Sequence, residues 1–399
     1  MQPPGADTVL VRHGELNTKS SKVQGAMERR LIANLQALVA DRGIEGEVER
    51  RWSRPLIHTS EAQVDAAVEA AASAPGVVSA SAAVVVPAER EPIEDALVRA
   101  AREHYDAGAF AVRGRRADRD VPFDSEDVQR FGGTAIWESV EDEFEPEVDL
   151  DDPDLEFFVE IRDGQAFIFL EKVSGPGGLP VGTQQPLVAL ISGGIDSPVA
   201  AFEVLRRGSP IVPVYLDLGD YGGVDHRERA VESVRTLASY APNYEFDLRV
   251  VDAGETVDLL ARTFEEGRML AFRRYMYRLA EHVAEETGAV GIVTGEAIGQ
   301  KSSQTAMNLG VTSRATNLPI HRPLLSVDKQ ELIERAKDIG TYSTATIPAG
   351  CNRFAPDQAE THGRVATIEA REPDDLFERA ERDAADAEVL ALGRGVDPV

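Results

Sequence analysis

The feature that most constrains this chain is a short glycine- and serine-rich turn set between an apolar run and an amphipathic one. Residues 187–191 (LVALI) read as a fully buried strand, Ser192-Gly193-Gly194-Ile195-Asp196-Ser197-Pro198 as a tight loop, and 199–206 as a helix. Adjacent glycines let the backbone approach an oxyanion closely, while serine hydroxyls and a helix N-terminus aim donors at it. No lysine follows the loop, so it is not the G-x-x-x-x-G-K-[ST] sequence that cradles a β,γ-phosphate. Downstream, strand-like runs at 187–191, 211–218, 246–252 and 291–294 alternate with helix-like segments that include 225–239 and 269–287. That rhythm predicts a doubly wound parallel α/β sheet with its ligand at the carboxyl ends of the strands. The loop at Ser192 sits at the first such end.

The segment 174–183 (SGPGGLPVGT) is a breaker cluster and marks a domain boundary. Before it, a strand-like start at 8–11 leads into a helix at 27–42. Helices at 61–72 and 92–105 then mix with strands at 77–87, 109–112, 157–160 and 166–169, with polar turns after 112. Helices beside an antiparallel-looking strand set predict α+β architecture. The expected organisation is therefore 1–62, 63–173 and 174–399.

Composition qualifies what this chain can bind. A net charge of −27 would normally argue against a polyanion, but 36 of the 42 basic residues are Arg. A lysine-poor, acid-rich surface resembles those of proteins that work in concentrated salt, where the Debye length is only about 3 Å at 1 M. Diffuse repulsion then nearly vanishes, and nucleic-acid binding depends on local contacts. A single cysteine excludes an internal disulfide. No signal-like start and no run of 18 apolar residues is present, so a cytoplasmic protein without membrane insertion is expected. Ten of the sixteen residues 141–156 are acidic, which reads as a solvated loop. The acidic tail 372–399 reads as helical without a site signal.

Three further segments carry chemistry. Thr294-Gly295-Glu296-Ala297-Ile298-Gly299-Gln300-Lys301-Ser302-Ser303-Gln304-Thr305 again follows an apolar strand and opens a helix, which places it beside the first loop. Lys301 there can reach a phosphate. In His321-Arg322-Pro323-Leu324-Leu325 and the Asp328-Lys329-Gln330-Glu331 that follows, Asp328 is an N-cap and Glu331 completes a capping box. Lys329 opposes the helix dipole at that end and so should have an anionic partner. Cys351 lies in a Gly/Pro-bounded, polar-flanked loop, better suited to a reactive thiolate than to a core position.

The loop SGGIDS resembles the pyrophosphate-binding loop of the PP-loop ATPases, which split ATP between its α and β phosphates. More specifically, the chain resembles the ThiI family of tRNA uracil 4-sulfurtransferases, the 4-thiouridine synthases. The resemblance runs from about residue 8 to 360. It is carried by VRHGE at 11–15, FAVRGRRAD at 110–118, VDL at 148–150 with Pro153-Asp154, and EKVSGPGGLPVGT at 171–183. SGGIDSPVA, TGEAIGQKSSQT, HRPLLSVDKQELIERAKDIGTYS and the loop with Cys351 complete it. It implies a ferredoxin-like domain, a THUMP domain and a PP-loop ATP pyrophosphatase domain. It also implies adenylation of a tRNA uridine at position 8, followed by sulfur transfer, with thiamine thiazole sulfur as a further output.

The residues so expected fall into three sets. ATP is to be bound by Ser192, Gly193, Gly194, Ile195, Asp196, Ser197, Tyr215, Leu216, Arg274, Gly295, Lys301 and Gln304. Chemistry is assigned to Cys351, Asp196 and Lys329, with Asp196 positioning Mg²⁺ or the loop and no dedicated metal ligands. The tRNA is to be gripped by Arg12, Lys19, Lys22, Arg113, Arg115, Arg116, Arg119 and Lys172; four guanidiniums within 113–119 form a phosphate-directed patch.

Two departures from the family matter. The rhodanese-like domain of some bacterial members is missing. Met269 and Phe272 stand where some archaeal members have a Cys-x-x-Cys pair. With one cysteine, a metal cluster held by three cysteines is impossible. Turnover needs an external sulfur donor, a persulfide carrier or sulfide. A homodimer is left open. The rival readings are a PP-loop enzyme acting on another tRNA base and a tRNA-binding protein without catalysis.

Overall fold

The computed structural model describes residues 1–14, 20–51, 54–117, 120–222, 224–345, 354 and 360–393. Two compact units divide between Leu179 and Pro180.

The first unit contains β1 (Thr8–His13), α1 (Ser21–Asp41), β2 (Gly46–Arg51), β3 (Arg54–Thr59), α2 (Val64–Ser73) and β4 (Val77–Pro87). It continues with α3 (Arg90–His104), β5 (Ala109–Arg116), α4 (Ser125–Val140), β6 (Glu147–Val148), β7 (Leu155–Arg162), β8 (Gln165–Phe169) and β9 (Val173–Ser174). Its strands form one sheet in the order β2-β3-β1-β4-β8-β7-β5-β6, with β9 added to β4. The long strand β4 is shared: Val77 to Ala83 pair with β1, and Val84 to Pro87 pair with β8. Leu31, Leu35 and Leu38 of α1 and Ala67 and Ala71 of α2 pack on the first half. Ile93 and Leu97 of α3 and Val128 and Ile136 of α4 cover the second.

Helix α4 lies where the sequence suggests polar turns. Its Gly132-Gly133 pair looks like a breaker, but a Cβ at Gly132 would come within 2.8 Å of Leu97 Cδ1. The glycine is therefore a close-approach residue between α3 and α4, and the Asp124–Asp127 capping box starts the helix. The hairpin β2–β3 also escapes the pattern, because its first strand, GEVERR, is largely charged.

The second unit contains β10 (Leu187–Ile191), α5 (Asp196–Leu205), β11 (Ile211–Asp217), α6 (Val224–Ala238), β12 (Asp247–Asp252), α7 (Gly254–Thr263) and α8 (Arg268–Thr287). Then come β13 (Ile292–Val293), α9 (Ala306–Thr312), β14 (Ile320–His321), α10 (Lys329–Asp338), α11 (Tyr342–Ala345), α12 (Val365–Glu369), α13 (Leu376–Ala385) and β15 (Glu388–Ala391). The sheet order is β14-β13-β10-β11-β12-β15, parallel except for β15.

The five residues of β10 are all buried because helices cover both faces. Val188 and Leu190 pack toward α7 and α8, whereas Leu187, Ala189 and Ile191 pack toward α5 and α6. The fold class expected from the sequence is the one observed. The acidic tail differs in part: α13 is helical, but β15 closes the sheet edge against β12, with Leu248 opposite Leu390. Among the described residues no helix is long and apolar enough to cross a membrane.

Candidate functional site

Strand β10 lies between β11 and β13, so the chain leaves it first toward one side of the sheet and later returns on the other. Its carboxyl end is the topological switch point, where α/β sheets open a crevice. A cavity of about 610 Å³ occupies that place.

The loop after β10 is shaped by its serines. Ser197 Oγ accepts from Ser192 N at 2.7 Å and lies 3.0 Å from Ser192 Oγ, and Gly194 N donates to Ser192 Oγ at 3.3 Å. A side chain at Gly193 would meet the backbone of His226, 3.2 Å away in the first turn of α6. Gly295 is tighter still, since a Cβ there would stand 2.7 Å from the Asp196 carbonyl carbon and 2.8 Å from Ser197 N. The loops after β10 and β13 thus touch backbone to backbone, as expected. Gly295→Ala must push them apart. Nucleotide affinity is expected to fall about tenfold or more while the far-ultraviolet circular dichroism stays unchanged, read by equilibrium dialysis.

Asp196 is where three loops meet. Its Oδ1 accepts from Lys329 Nζ at 3.0 Å and its Oδ2 from Gln300 Nε2 at 3.0 Å. Lys329 therefore has the anionic partner its helix-end position calls for. Asp328 caps α10 by accepting from Glu331 N at 2.9 Å. The reciprocal half of the expected capping box is not formed, because the Glu331 carboxylate takes a hydrogen bond from Arg335 at 2.6 Å.

Ser192, Gly193, Gly194, Asp196, Ser197, Tyr215, Leu216, Gly295, Lys301 and Gln304 all line the cavity. Ile195 does not; its side chain packs on the core between the sheet and α5. Arg274 is a correction. It is 2% exposed and faces away, with Nε donating to Glu372 at 2.6 Å, Nη2 to Glu369 at 3.0 Å and Nη1 to the Val311 carbonyl at 3.3 Å.

The residue on the cavity wall is Arg273, which donates to Glu296. With the Gln304 amide turned to satisfy its neighbours, that side chain accepts from Arg273 and donates to the Ala297 carbonyl, both at 2.9 Å. Arg273 and Tyr277 are one helical turn apart and share a face; Arg274 sits about 100° around it. Tyr277 lines the cavity too, so the phase of the helix was the signal. His226, buried beside Gly193 and pushed below the ordinary imidazole value by burial, was also missed. Cys351 lies outside the described residues. Phe354, three positions on, is buried against Phe272 and Tyr221 and lines the cavity.

The first unit has a charged groove of its own, a cavity of about 730 Å³ lined by Arg12, Arg113, Arg115 and Lys172 and by Glu156, Glu160 and Glu171, with Arg113 Nε donating to Glu156 at 2.6 Å. Arg113 and Arg115 alternate onto one face of β5, whereas Arg116 falls on the other. Phe158 and Phe169 stack at 5.0 Å beneath the Lys172 ammonium, which stands 3.8 Å from the Phe158 ring centre.

Arg12 is not the open surface cation that a tRNA-gripping role suggests. It is 8% exposed, donates to Ser81 Oγ at 2.9 Å, lies 3.5 Å from Glu160 and covers the Phe169 ring. Burial brings its pKa down to about 10 despite Glu160. Lys22 and Arg116 are exposed outside the groove, and Lys19 and Arg119 lie outside the described residues.

Comparison with known proteins gives consistent matches along the chain. Residues 182–376 match the family described as thiamine biosynthesis protein (ThiI), 87–171 the THUMP domain and 8–81 the ThiI ferredoxin-like domain. A probable tRNA sulfurtransferase of Halobacterium salinarum is 58% identical over 386 residues, 97% of this chain and 98% of the relative. That of Methanosarcina acetivorans is 38% identical, covering 91% and 88%. A crystal structure of a 4-thiouridine synthetase–RNA complex with bound ATP superposes with a TM-score of 0.84 at 29% identity, covering 96% of this chain and 99% of that one.

Proposed function

The chain belongs to the ThiI family of tRNA sulfurtransferases, and from that premise we propose that it converts uridine 8 of tRNA to 4-thiouridine at the expense of ATP. The observation that carries this reading is the convergence of three loops on Asp196 at the sheet's switch point, bringing Lys329 and Gln300 to one carboxylate.

Oxygen bonded to C4 of uracil is a poor leaving group, so the reaction must first make it a good one. The uracil O4 attacks the α-phosphorus of ATP, and pyrophosphate departs with the bond electrons. The backbone and hydroxyls of Ser192 to Ser197 receive the phosphates. Lys301 and Lys329 offset the charge that grows on the transferring group. Arg273 reaches the nucleotide from the α8 wall, and Tyr215 and Leu216 form the apolar side of the cavity.

Magnesium usually takes one or two carboxylates together with substrate phosphates; Asp196 could take it only through the lone pairs that Lys329 and Gln300 leave open on its two oxygens. Bound there, the ion would neutralise phosphate charge. In the second half, an external persulfide passes its outer sulfur to the Cys351 thiolate and leaves as a thiol; that sulfur attacks C4, and AMP leaves with the C4–O bond electrons. An external thiol then attacks the Cys351 sulfur, releasing 4-thiouridine and leaving a mixed disulfide that a second thiol reduces, since the chain has no second cysteine.

The first unit holds the tRNA. Guanidiniums of Arg113 and Arg115 with the Lys172 ammonium address phosphates, and the stacked Phe158–Phe169 pair offers an aromatic platform. Exposed Lys22 and Arg116, with Lys19 and Arg119, extend that surface.

The test is single-turnover incubation with unmodified tRNA, ATP, a sulfane-sulfur donor such as polysulfide, and a thiol reductant. AMP and pyrophosphate formed only with tRNA, together with 4-thiouridine in the digested nucleosides, is the expected result. AMP with a different modified base would move the enzyme to another target. No tRNA-dependent AMP would leave only a binding protein.

A further inference from the structure

One carboxylate at the cavity wall serves more partners than a packing role requires. Glu296, 5% exposed, receives hydrogen bonds from Arg273, from Tyr277 Oη at 2.6 Å and from Arg322 Nε at 2.7 Å. Arg322 is itself braced by Ser313 Oγ at 2.9 Å. The cluster ties together α8, the loop after β13, the residue after β14 and the turn after α9. Of its two guanidiniums, only that of Arg273 reaches the cavity lining; Arg322 stays behind Glu296. Two cations face one carboxylate, so the wall keeps one unit of surplus positive charge, delivered through Arg273.

We propose that Glu296 is a positioning residue for the nucleotide, acting through Arg273: it holds that guanidinium in a single orientation toward the cavity. Tyr277 and Arg322 occupy Oε2, which leaves Oε1 for Arg273. The Gln304 amide fixes the other end of the fork. A planar guanidinium clamped at two of its nitrogens offers its remaining donors in a defined direction, which a freely rotating cation cannot. The inference rests on the reading of this cavity as the ATP site.

Charge and orientation make opposite predictions here. If the wall served only as a positive potential, Glu296→Gln would raise the local charge and tighten ATP binding. If orientation matters, the same isosteric change weakens it. The experiment is ATP titration of the full-length protein without tRNA, in a double-mutant cycle with Arg273→Met. Glu296→Gln is expected to weaken ATP binding about tenfold in the wild-type background and less than about twofold in the Arg273→Met background. In turnover the KM for ATP rises and that for tRNA does not.

Tyr277→Phe removes one hydrogen bond from Glu296 and keeps the ring. It should weaken ATP binding about threefold, again only when Arg273 is present, and it carries the cycle if the Gln variant does not fold. Equal losses in both backgrounds, or tighter ATP binding by Glu296→Gln, would overturn the proposal. Failure of the wild-type protein to bind ATP would instead remove the reading on which it rests.

Discussion

Lys329→Met is expected to lower tRNA-dependent AMP formation by about 10²–10³-fold, equivalent to roughly 3–4 kcal/mol of transition-state stabilisation. The ammonium lies 3.0 Å from Asp196 Oδ1 at the mouth of the phosphate loop, with the Lys329 side chain 55% exposed and Asp196 30% exposed. So exposed a pair contributes only about 0–1 kcal/mol to folding, so the variant should melt close to the wild type. The residue's cost at a helix N-terminus, where a cation opposes the dipole, has no structural return beyond that weak pair. Under the proposed function, its larger effect comes when phosphate charge enters the site. Rates measured at saturating ATP and tRNA separate the cases. A wild-type rate with a raised KM for ATP would make Lys329 a ground-state binding residue and take it out of the adenylation step.

The second large effect is expected at Cys351. In a strain deleted for this gene, tRNA should lose the band that mercury-containing gels retard. The wild-type gene should restore the band and Cys351→Ser should not. The argument is one of supply: the chain contains a single cysteine, so no other side chain can carry a persulfide. The serine hydroxyl cannot hold sulfane sulfur, while adenylation, proposed above to use Asp196 and Lys329, should continue. Pyrophosphate release and adenylated tRNA from the purified Cys351→Ser protein should thus persist, while the AMP release that accompanies thiolation is lost. Rescue of the band by Cys351→Ser would keep the reaction and move sulfur delivery to sulfide or a partner. Persistence of the band in the deletion strain would mean another enzyme makes the nucleoside.

How much of the site was legible depended on whether local pattern or helix phase decided it. Glycines 193, 194 and 295 and serines 192 and 197 stand in contiguous loops after buried strands, and their roles follow from backbone geometry that the sequence displays directly. Arg274 was expected at the nucleotide as one of the residues the family resemblance implied. A rotation of about 100° per residue puts its neighbour Arg273 on the cavity wall instead. Arg274 is consumed by Glu369 and Glu372, residues nearly a hundred positions away that no local pattern links to it. Arg12 shows the same limit. Its expected exposure fails because β1 lies inside the sheet, between β3 and β4, and its guanidinium is drawn over Phe169 toward Glu160.

By itself, the sequence determined the strand–loop–helix unit at Ser192, the β/α alternation after it and the lysines that survive in a lysine-poor composition. Those features are local, and their physics is settled within a few residues of backbone. What only the tertiary structure decided was partnership. β4 serves two halves of one sheet, the acidic tail supplies an edge strand and Glu372 for Arg274, and Asp196 collects a lysine more than a hundred residues away. Hydrogen bonds and ion pairs act over about 3 Å of space whatever the separation along the chain. Their membership is therefore written in the fold, where it becomes visible only once the strands have been placed in order.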